Sequence, residues 1–282
     1  MKLKKWISFM IIFAFVLCTT NSSYAASPKG TIPIILKMND YYVAYTYPKV
    51  PYIDRQNRLM LPLRAAGELL GASVTYDPAS RSAVITQNDN LVKIQVGSHI
   101  AVVNGEKVEM DTQPVMEKGY MIIPARILFD AFAYKVTLNH HVVTLKDDRM
   151  LRQGLLKYLL DDDRVAISRT LNQVAFEPLY YTLSTSISKN MTHFNFDFTA
   201  RNITGTDIPQ GEENLSTMIY FDEGGLFDIP YTSVDIKDRS RPAVKKDAIF
   251  SRHIEDSGHV LTTKPNMLRY ILISGRTITP DN

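Results

Sequence analysis

The chain of 282 residues has one cysteine and one tryptophan, and both lie upstream of Ala25, as Cys18 and Trp6. Beyond that point no disulfide, thiolate zinc site or cysteine nucleophile can form. Without tryptophan the best platform for stacking on a sugar is gone, and the tyrosines remain as candidates. Histidine is scarce, with six in all. His140 and His141 are adjacent, and neighbours on a strand point to opposite faces, which makes a poor chelate. No Gly-x-Ser-x-Gly elbow, phosphate loop or His-Glu-x-x-His occurs. Charge of one sign is also lacking. There are 32 Lys and Arg against 29 Asp and Glu, and Lys2, Lys4 and Lys5 sit at the extreme N-terminus. The rest of the chain is balanced, which excludes a broad basic field for nucleic acid or an anionic membrane.

The N-terminal segment reads as an export signal. A basic start precedes Ile7–Cys18, which is apolar apart from Ser8. That run is far shorter than the ~20 residues needed to span a bilayer. Ser23-Tyr24-Ala25 places small residues where a signal peptidase reads them, so cleavage is expected after Ala25. Retention as an anchor is the alternative. Val16-Leu17 before Cys18 does not suit a lipoprotein signal. The expected destination is outside the cell or at the cell wall, with no transmembrane helix left after cleavage. An exported chain that must stand on hydrophobic cores suits a bacterium of the Gram-positive kind.

A passage then occurs twice. Leu61-Pro62-Leu63-Arg64 and Val74-Thr75-Tyr76 return, at one constant offset, as Ile123-Pro124-Ala125-Arg126 and Val136-Thr137-Leu138. Glu68 returns as Asp130 at the same offset. Repetition at a fixed spacing marks a duplicated unit. Each copy reads as strand, helix, strand, strand. Pro62 and Pro124 suit a first helical turn, where a missing N–H costs nothing. Leu63, Ala66, Leu69 and Leu70 fall at helical spacing, and Gly71 supplies the positive-φ stop. In the second copy Ala133 replaces that glycine, so its helix end should be less well capped. Asn104-Gly105 signals a two-residue hairpin turn. Arg64 and Arg126 read either as an anion-binding pair or as a scaffold device bonding nearby carbonyls or carboxylates such as Glu68 or Asp77. Recurrence in each unit favours the scaffold.

The motif (L/V/I)-P-x-R, a short helix ending in Leu70-Gly71-Ala72, and Val74-Thr75-Tyr76-Asp77 resembles the copper amine oxidase N-terminal-like, stalk-type domain. The resemblance covers roughly 30–148 and implies a tandem scaffold of the kind found in exported bacterial proteins. It does not imply copper. In true copper amine oxidases the metal and quinone lie in a separate β domain with three histidine ligands and an Asn-Tyr-acid motif. Here Asn39-Asp40-Tyr41-Tyr42 has the residues in the wrong order, and 149–282 is too short for that domain.

The remainder matches no motif. A linker helix is expected over 149–163 on the Leu151, Leu155, Leu156, Leu159 and Leu160 face, with Asp161-Asp162-Asp163 a solvated charge run. Pro178–Ser188, His193–Asn202, Ser216–Phe221, Gly258–Thr263 and Leu268–Ser274 read as strands. Lys237 to Arg252 forms a diluted basic stretch. The expected fold class is α+β: mainly antiparallel units at about 30–89 and 90–148, each with one short helix. A β-sandwich-like domain at 164–282 follows. Pro62, Arg64, Glu68, Gly71, Val74, Pro124, Arg126, Asp130 and Val136 are the structural motif. Tyr41, Tyr42, His253 and His259 are surface candidates, the histidines in a loop with Glu255 and Asp256. No catalytic, cofactor or metal site is assigned. The expected role is binding or scaffolding, with cell-wall polymer or another exported protein as partner. The rivals are an enzyme with its site in the C-terminal half and a regulatory partner of an exported protein. Oligomeric state has no signature in the sequence. Mass spectrometry of the protein from culture medium should give Ala26 as the first residue. Material still carrying Trp6 would mean that the leader is retained.

Overall fold

The computed structural model describes residues 35–139, 142–154, 156–188, 191–222, 224–227, 241–257 and 267–280. The leader, His140, His141, His259, Lys237, Arg239 and the strand expected at Gly258–Thr263 lie outside these residues. The described chain is mostly β with a few short helices.

The first half runs β1 (Ile35–Met38), β2 (Tyr41–Thr46), β3 (Tyr52–Ile53), β4 (Leu59–Pro62), α1 (Leu63–Leu70), β5 (Ser73–Asp77) and β6 (Ser82–Gln87). It continues with β7 (Asn90–Gln95), β8 (Ile100–Val103), β9 (Glu106–Glu109), β10 (Val115–Glu117), β11 (Tyr120–Pro124), α2 (Arg126–Ala131), β12 (Val136–Asn139) and β13 (Val142–Leu145). The stripe Leu63, Ala66, Leu69 and Leu70 is buried, as its spacing requires.

The two copies of the motif meet side by side in one sheet. Strands β4 and β11 pair antiparallel, with Leu61 opposite Ile123, its counterpart in the second copy. Around that pair β3 and β10 take the outer places of a four-stranded sheet. The helix ends also correspond. Gly71 N–H bonds Glu68 O at 3.1 Å and Ala72 N–H bonds Gly67 O at 2.8 Å. Ala133 N–H bonds Asp130 O at 3.1 Å and Tyr134 N–H bonds Phe129 O at 2.8 Å. These are the bonds that close a helix through a left-handed residue.

The stretches 30–89 and 90–148 share sheets. Strands β7, β8 and β9 extend β6 and β5 into a five-stranded meander. Strand β13 pairs parallel with β1, Ile35 opposite Val142. Each helix-strand-strand passage is therefore completed by strands from the other stretch. An isolated hairpin leaves edges and an uncovered apolar face, and the exchange covers both.

The second half adds α3 (Leu156–Asp162), α4 (Arg164–Ser168), β14 (Thr170–Asn172), β15 (Phe176–Ser188), β16 (Met191–Asn202), β17 (Glu213–Phe221), β18 (Gly224–Phe227), β19 (Ile249–Ser257) and β20 (Leu268–Ile278). The alternation read at His193–Asn202 holds: Phe194, Phe196, Phe198 and Ala200 are buried while His193, Asn195 and Asp197 reach solvent. Strand β20 pairs with both β17 and β2, Tyr42 opposite Ile273. One eight-stranded sheet thus contains strands from both ends of the described chain, in the order β12-β13-β1-β2-β20-β17-β18, with β14 also on β20.

Each face of this sheet bounds a core. On one side Val43, Met218, Tyr270 and Leu272 pack with α1, α2 and the interior of the meander. On the other Tyr42, Ile219, Ile271 and Ile273 meet the phenylalanines of the three-stranded sheet β15-β16-β19. Where β15 begins, Ala175 N–H bonds Gly275 O at 2.8 Å. A Cβ on Gly275 would lie 2.6 Å from Phe176 O, so no side chain fits there.

The linker helix is shorter than expected. Residues 148–151 form turns, and the helix begins at Leu156. Leu151 has φ +61°, and its N–H bonds Leu69 O at 2.8 Å, closing the end of α1 from outside. Leu151 and Leu156 are buried, as the apolar face implies. The acidic run is not all solvated either: Asp163 bonds Arg276, which is 1% exposed, at 2.5 Å, while Asp161 pairs with Arg164 at the surface. Removing one partner of a buried pair typically costs about 3–5 kcal/mol, because the other charge is left in low dielectric. No described helix is long and apolar enough to cross a membrane.

Gly71 is required twice over. Its φ is +70°, and a Cβ would stand 2.0 Å from Arg149 O. Gly71→Ala should destabilise by about 2–4 kcal/mol. Ala133 sits exposed at φ +55°. Ala133→Gly should therefore be neutral to stabilising, by up to about 1 kcal/mol. Urea unfolding of both variants checks this; equal effects would show that the two helix ends are not differently constrained.

Candidate functional site

The motif residues of the two copies line two separate hollows. The first holds about 390 Å³ and is lined by Val103, Val108, Asp111, Pro124, Arg126, Ile127 and Asp130, with Arg58 at one side. Two of its arginines lie beside carboxylates. Arg126 Nε lies 3.2 Å from Asp130 one turn along α2, and Arg58 Nε lies 2.8 Å from Asp111. Arg126 thus bonds a carboxylate of its own helix, the kind of contact a scaffold device makes.

The second hollow, about 150 Å³, lies where the three larger pieces of the structure meet. Pro62, Leu63 and Arg64 come from the start of α1, Val74 and Tyr76 from β5, Met116, Gly119, Tyr120 and Met121 from the β10-β11 hairpin, and Tyr47 and Arg269 from the eight-stranded sheet. Lys118 and Gly119 both have positive φ, as a tight two-residue hairpin turn requires, and this brings Tyr120 round into the hollow.

Arg269 reaches it through an irregularity. The β17–β20 register passes from Tyr220 opposite Tyr270 to Phe221 opposite Leu268, leaving Arg269 as the extra residue of a bulge. A bulge re-aims a side chain that strict alternation would send elsewhere. Arg269 Nε pairs with Asp222 at 3.1 Å, and a terminal nitrogen lies 3.7 Å from Glu68. Its backbone carbonyl accepts the Tyr47 N–H at 2.9 Å, and its guanidinium lies 5.9 Å from the centre of the Tyr47 ring. Tyr47 and Tyr120 meet edge to face at 5.2 Å, with their hydroxyls 3.3 Å apart. One side of the segment is fixed by Lys49, which pairs with Glu117 at 2.7 Å and covers the Tyr52 ring at 3.8 Å. Burial, then the Glu117 carboxylate, pushes the Tyr52 phenol up to about 12.

Here the first copy departs from the second. Glu68 does not bond Arg64, as the scaffold reading expects. It accepts a short hydrogen bond from the Tyr270 hydroxyl instead. Tyr270 is 1% exposed and stacks on Tyr220 at 5.8 Å. Arg64 is left exposed, and among the described residues it makes no ion pair. Asp77 is occupied by Ala79 N–H and the Ser80 hydroxyl. The cause is tertiary: β20 brings Tyr270 and Arg269 beside Glu68, and among the described residues no comparable partner meets Asp130.

The other candidates fall differently. Tyr41 and Tyr42 are not at the surface. Alternation along β2 sends Tyr41 into one core and Tyr42 into the other, at 5% and 3% exposure. The Tyr41 hydroxyl bonds Asp163, and burial raises both phenols far above their ordinary value of 10.0. His253 lies on strand β19 and not in a loop. Its Nδ1 is 2.7 Å from Asp197 and its Nε2 3.9 Å from Glu255, all on an open surface. The described residues contain no group of three or more potential metal ligands. Val136 is exposed, Val74 half-buried and Pro124 buried, each within the motif. The basic stretch contributes Arg252, whose guanidinium grips the fully buried Glu213 at 2.6 and 2.9 Å. Sequence reading missed Tyr120 and Arg269, because neither lies in the first copy of the motif.

Residues 37–146 match the family model of the copper amine oxidase N-terminal domain, so this segment carries that domain. No curated protein and no solved structure shows significant similarity to the chain.

The phenols give a pH signature. Burial, then the Glu68 carboxylate, raises the Tyr270 pKa well above 10.0, and Tyr220 is pushed up to about 12 by burial and the same carboxylate. In the unfolded chain these groups ionise near 10, while the folded chain still holds the proton. The stability they protect is fully present below pH 10 and is lost as pH rises toward the folded values. Melting followed by circular dichroism from pH 8 to 11.5 should show this fall. Tyr270→Phe should cost about 1–2 kcal/mol at pH 8 through loss of the hydrogen bond to a carboxylate, and its melting point should fall less steeply with pH. An unchanged slope would remove Tyr270 from the account.

Proposed function

We propose that this is an exported, non-catalytic protein of the bacterial envelope or cell exterior that binds or scaffolds. Cell-wall polymer is the first partner to consider and another exported protein the second. The observation that carries this reading is the lining of the hollow at the junction of the sheets. Tyrosines, arginines and methionines converge there, and no serine, cysteine, histidine or carboxylate is among them. Such a set can stack, donate hydrogen bonds and attract an anion. Its lining holds no imidazole, thiol or carboxylate to serve as nucleophile or general base. The basic and apolar leader with Ser23-Tyr24-Ala25 supports export.

The finer architecture belongs to the same reading. Helix-end hydrogen bonds that recur at equivalent positions of the two copies, and Leu61 opposite Ile123, support two duplicated units. The packing of β15-β16-β19 on the eight-stranded sheet supports a sandwich-like second half that takes two of its strands from the first. The family's copper chemistry does not carry over. The matched segment is the N-terminal domain, and its motif residues here are a proline, an arginine, an acid and a helix cap.

The test is retention of the exported protein on purified cell wall, with salt and free sugars as competitors. Retention that sugars reverse is expected. Absence of retention, together with capture of one specific exported protein, would replace wall binding with the partner reading.

A further inference from the structure

Resting on the binding reading just given, we propose that the hollow formed by Tyr47, Tyr76, Tyr120, Arg64 and Arg269 is a subsite for one carboxylate-bearing pyranose ring.

The argument begins with charge. Two arginines line the hollow and no acid does. Arg269 is already compensated by Asp222 and Glu68, at 3.1 and 3.7 Å, with its side chain 14% exposed. Arg64 is exposed and has no ion pair among the described residues. The second copy shows the alternative arrangement: Arg126 has Asp130 one turn along, and its hollow is also lined by Glu109 and Asp111. In the first copy Tyr270 holds the corresponding acid, Glu68. The cation beside the tyrosines is thereby released toward a ligand. A guanidinium presents two parallel N–H groups, which match a carboxylate in geometry and charge.

Shape and surface specify the rest of the ligand. About 150 Å³ is half or less of the ~300–1,000 Å³ that holds a drug-sized molecule, so the hollow takes one ring. Tyr76 is 38% exposed, which leaves ring surface for stacking. Tyr47 and Tyr120, edge to face with adjacent hydroxyls, join a polar edge to an apolar floor. Amphipathic faces of this kind suit a sugar, which has C–H groups on its faces and hydroxyls on its rim. Val74, Met116 and Met121 add apolar wall. A peptide carboxylate would use the arginine but leave the tyrosine faces unfilled.

The experiment is saturation-transfer NMR on the intact exported protein, with D-glucuronate, D-glucose and N-acetyl-dialanine as probes. Saturation of glucuronate ring protons is expected, stronger than for glucose, and fading with salt. Arg64→Gln should weaken glucuronate roughly threefold to tenfold and leave glucose unchanged. Tyr76→Ala should weaken both sugars. Neither side chain is buried, so both variants should fold, which their melting curves check. No transfer to glucuronate, transfer unaffected by Arg64→Gln, or transfer to the dipeptide alone would each overturn the proposal. Wall retention that survives Arg64→Gln would remove this subsite and leave wall binding standing. Glucuronate binding without wall retention would do the reverse.

Discussion

The structure depends on the pairing of β2 with β20. It joins residues 41–46 to 270–274 and closes a loop that contains most of the chain. Closing so long a loop is entropically costly, although the cost grows only with the logarithm of its length. What offsets it is burial on both faces of the sheet. Tyr270 and Leu272 enter one core, and Ile271 and Ile273 the other. An edge strand with polar partners could not hold this register, because a one-residue slip would exchange the two faces. Here such a slip would set tyrosines and isoleucines into the wrong core along the whole strand.

The same pairing creates the asymmetry on which the candidate site rests. The two copies of the motif begin with the same equipment: a proline, an arginine two residues on, and an acid four residues after that. In isolation both would form the one-turn pair that Arg126 and Asp130 form, worth only a few tenths of a kcal/mol at the surface. Tyr270 displaces that weak pair in the first copy because its buried hydroxyl must find an acceptor. Glu68 is within reach, and Arg269 at the adjacent bulge adds a second attraction. Satisfying a buried polar group outweighs keeping an exposed ion pair. Among the described residues Arg64 is left without an ion pair as a result.

Local rules account for what was legible in the sequence. Helical spacing located α1 and its buried stripe, and Gly71 located its end. The constant offset between the copies located α2, including the helix end where alanine stands for glycine. Strict alternation located β16. Each of these signals depends on a few neighbouring residues. The failures have a common origin too. Tyr41 and Tyr42 look like surface tyrosines until β1 and β20 flank their strand and a core lies on each face. Residues 149–151 look helical until Leu151 turns to donate to Leu69 O, under a glycine that admits the Arg149 carbonyl. Asp163 and Arg252 look solvated until Arg276 and Glu213 are placed against them.

Residue order alone established that the chain is strand-rich, that a passage of sequence returns at a constant offset, and where α1 stops. It also established that the one cysteine and the one tryptophan lie upstream of Ala25. Three-dimensional assembly was needed to show that the two passages complete one another's sheets, that the second half shares a sheet with the first, and that Arg64 and Arg126 have different partners. The division follows from range. Helix propensity, capping and alternation act within one or two turns or strands. The partner of a charge or a phenol is chosen by whatever the fold brings within about 3 Å, and for Glu68 that is a residue 202 positions away.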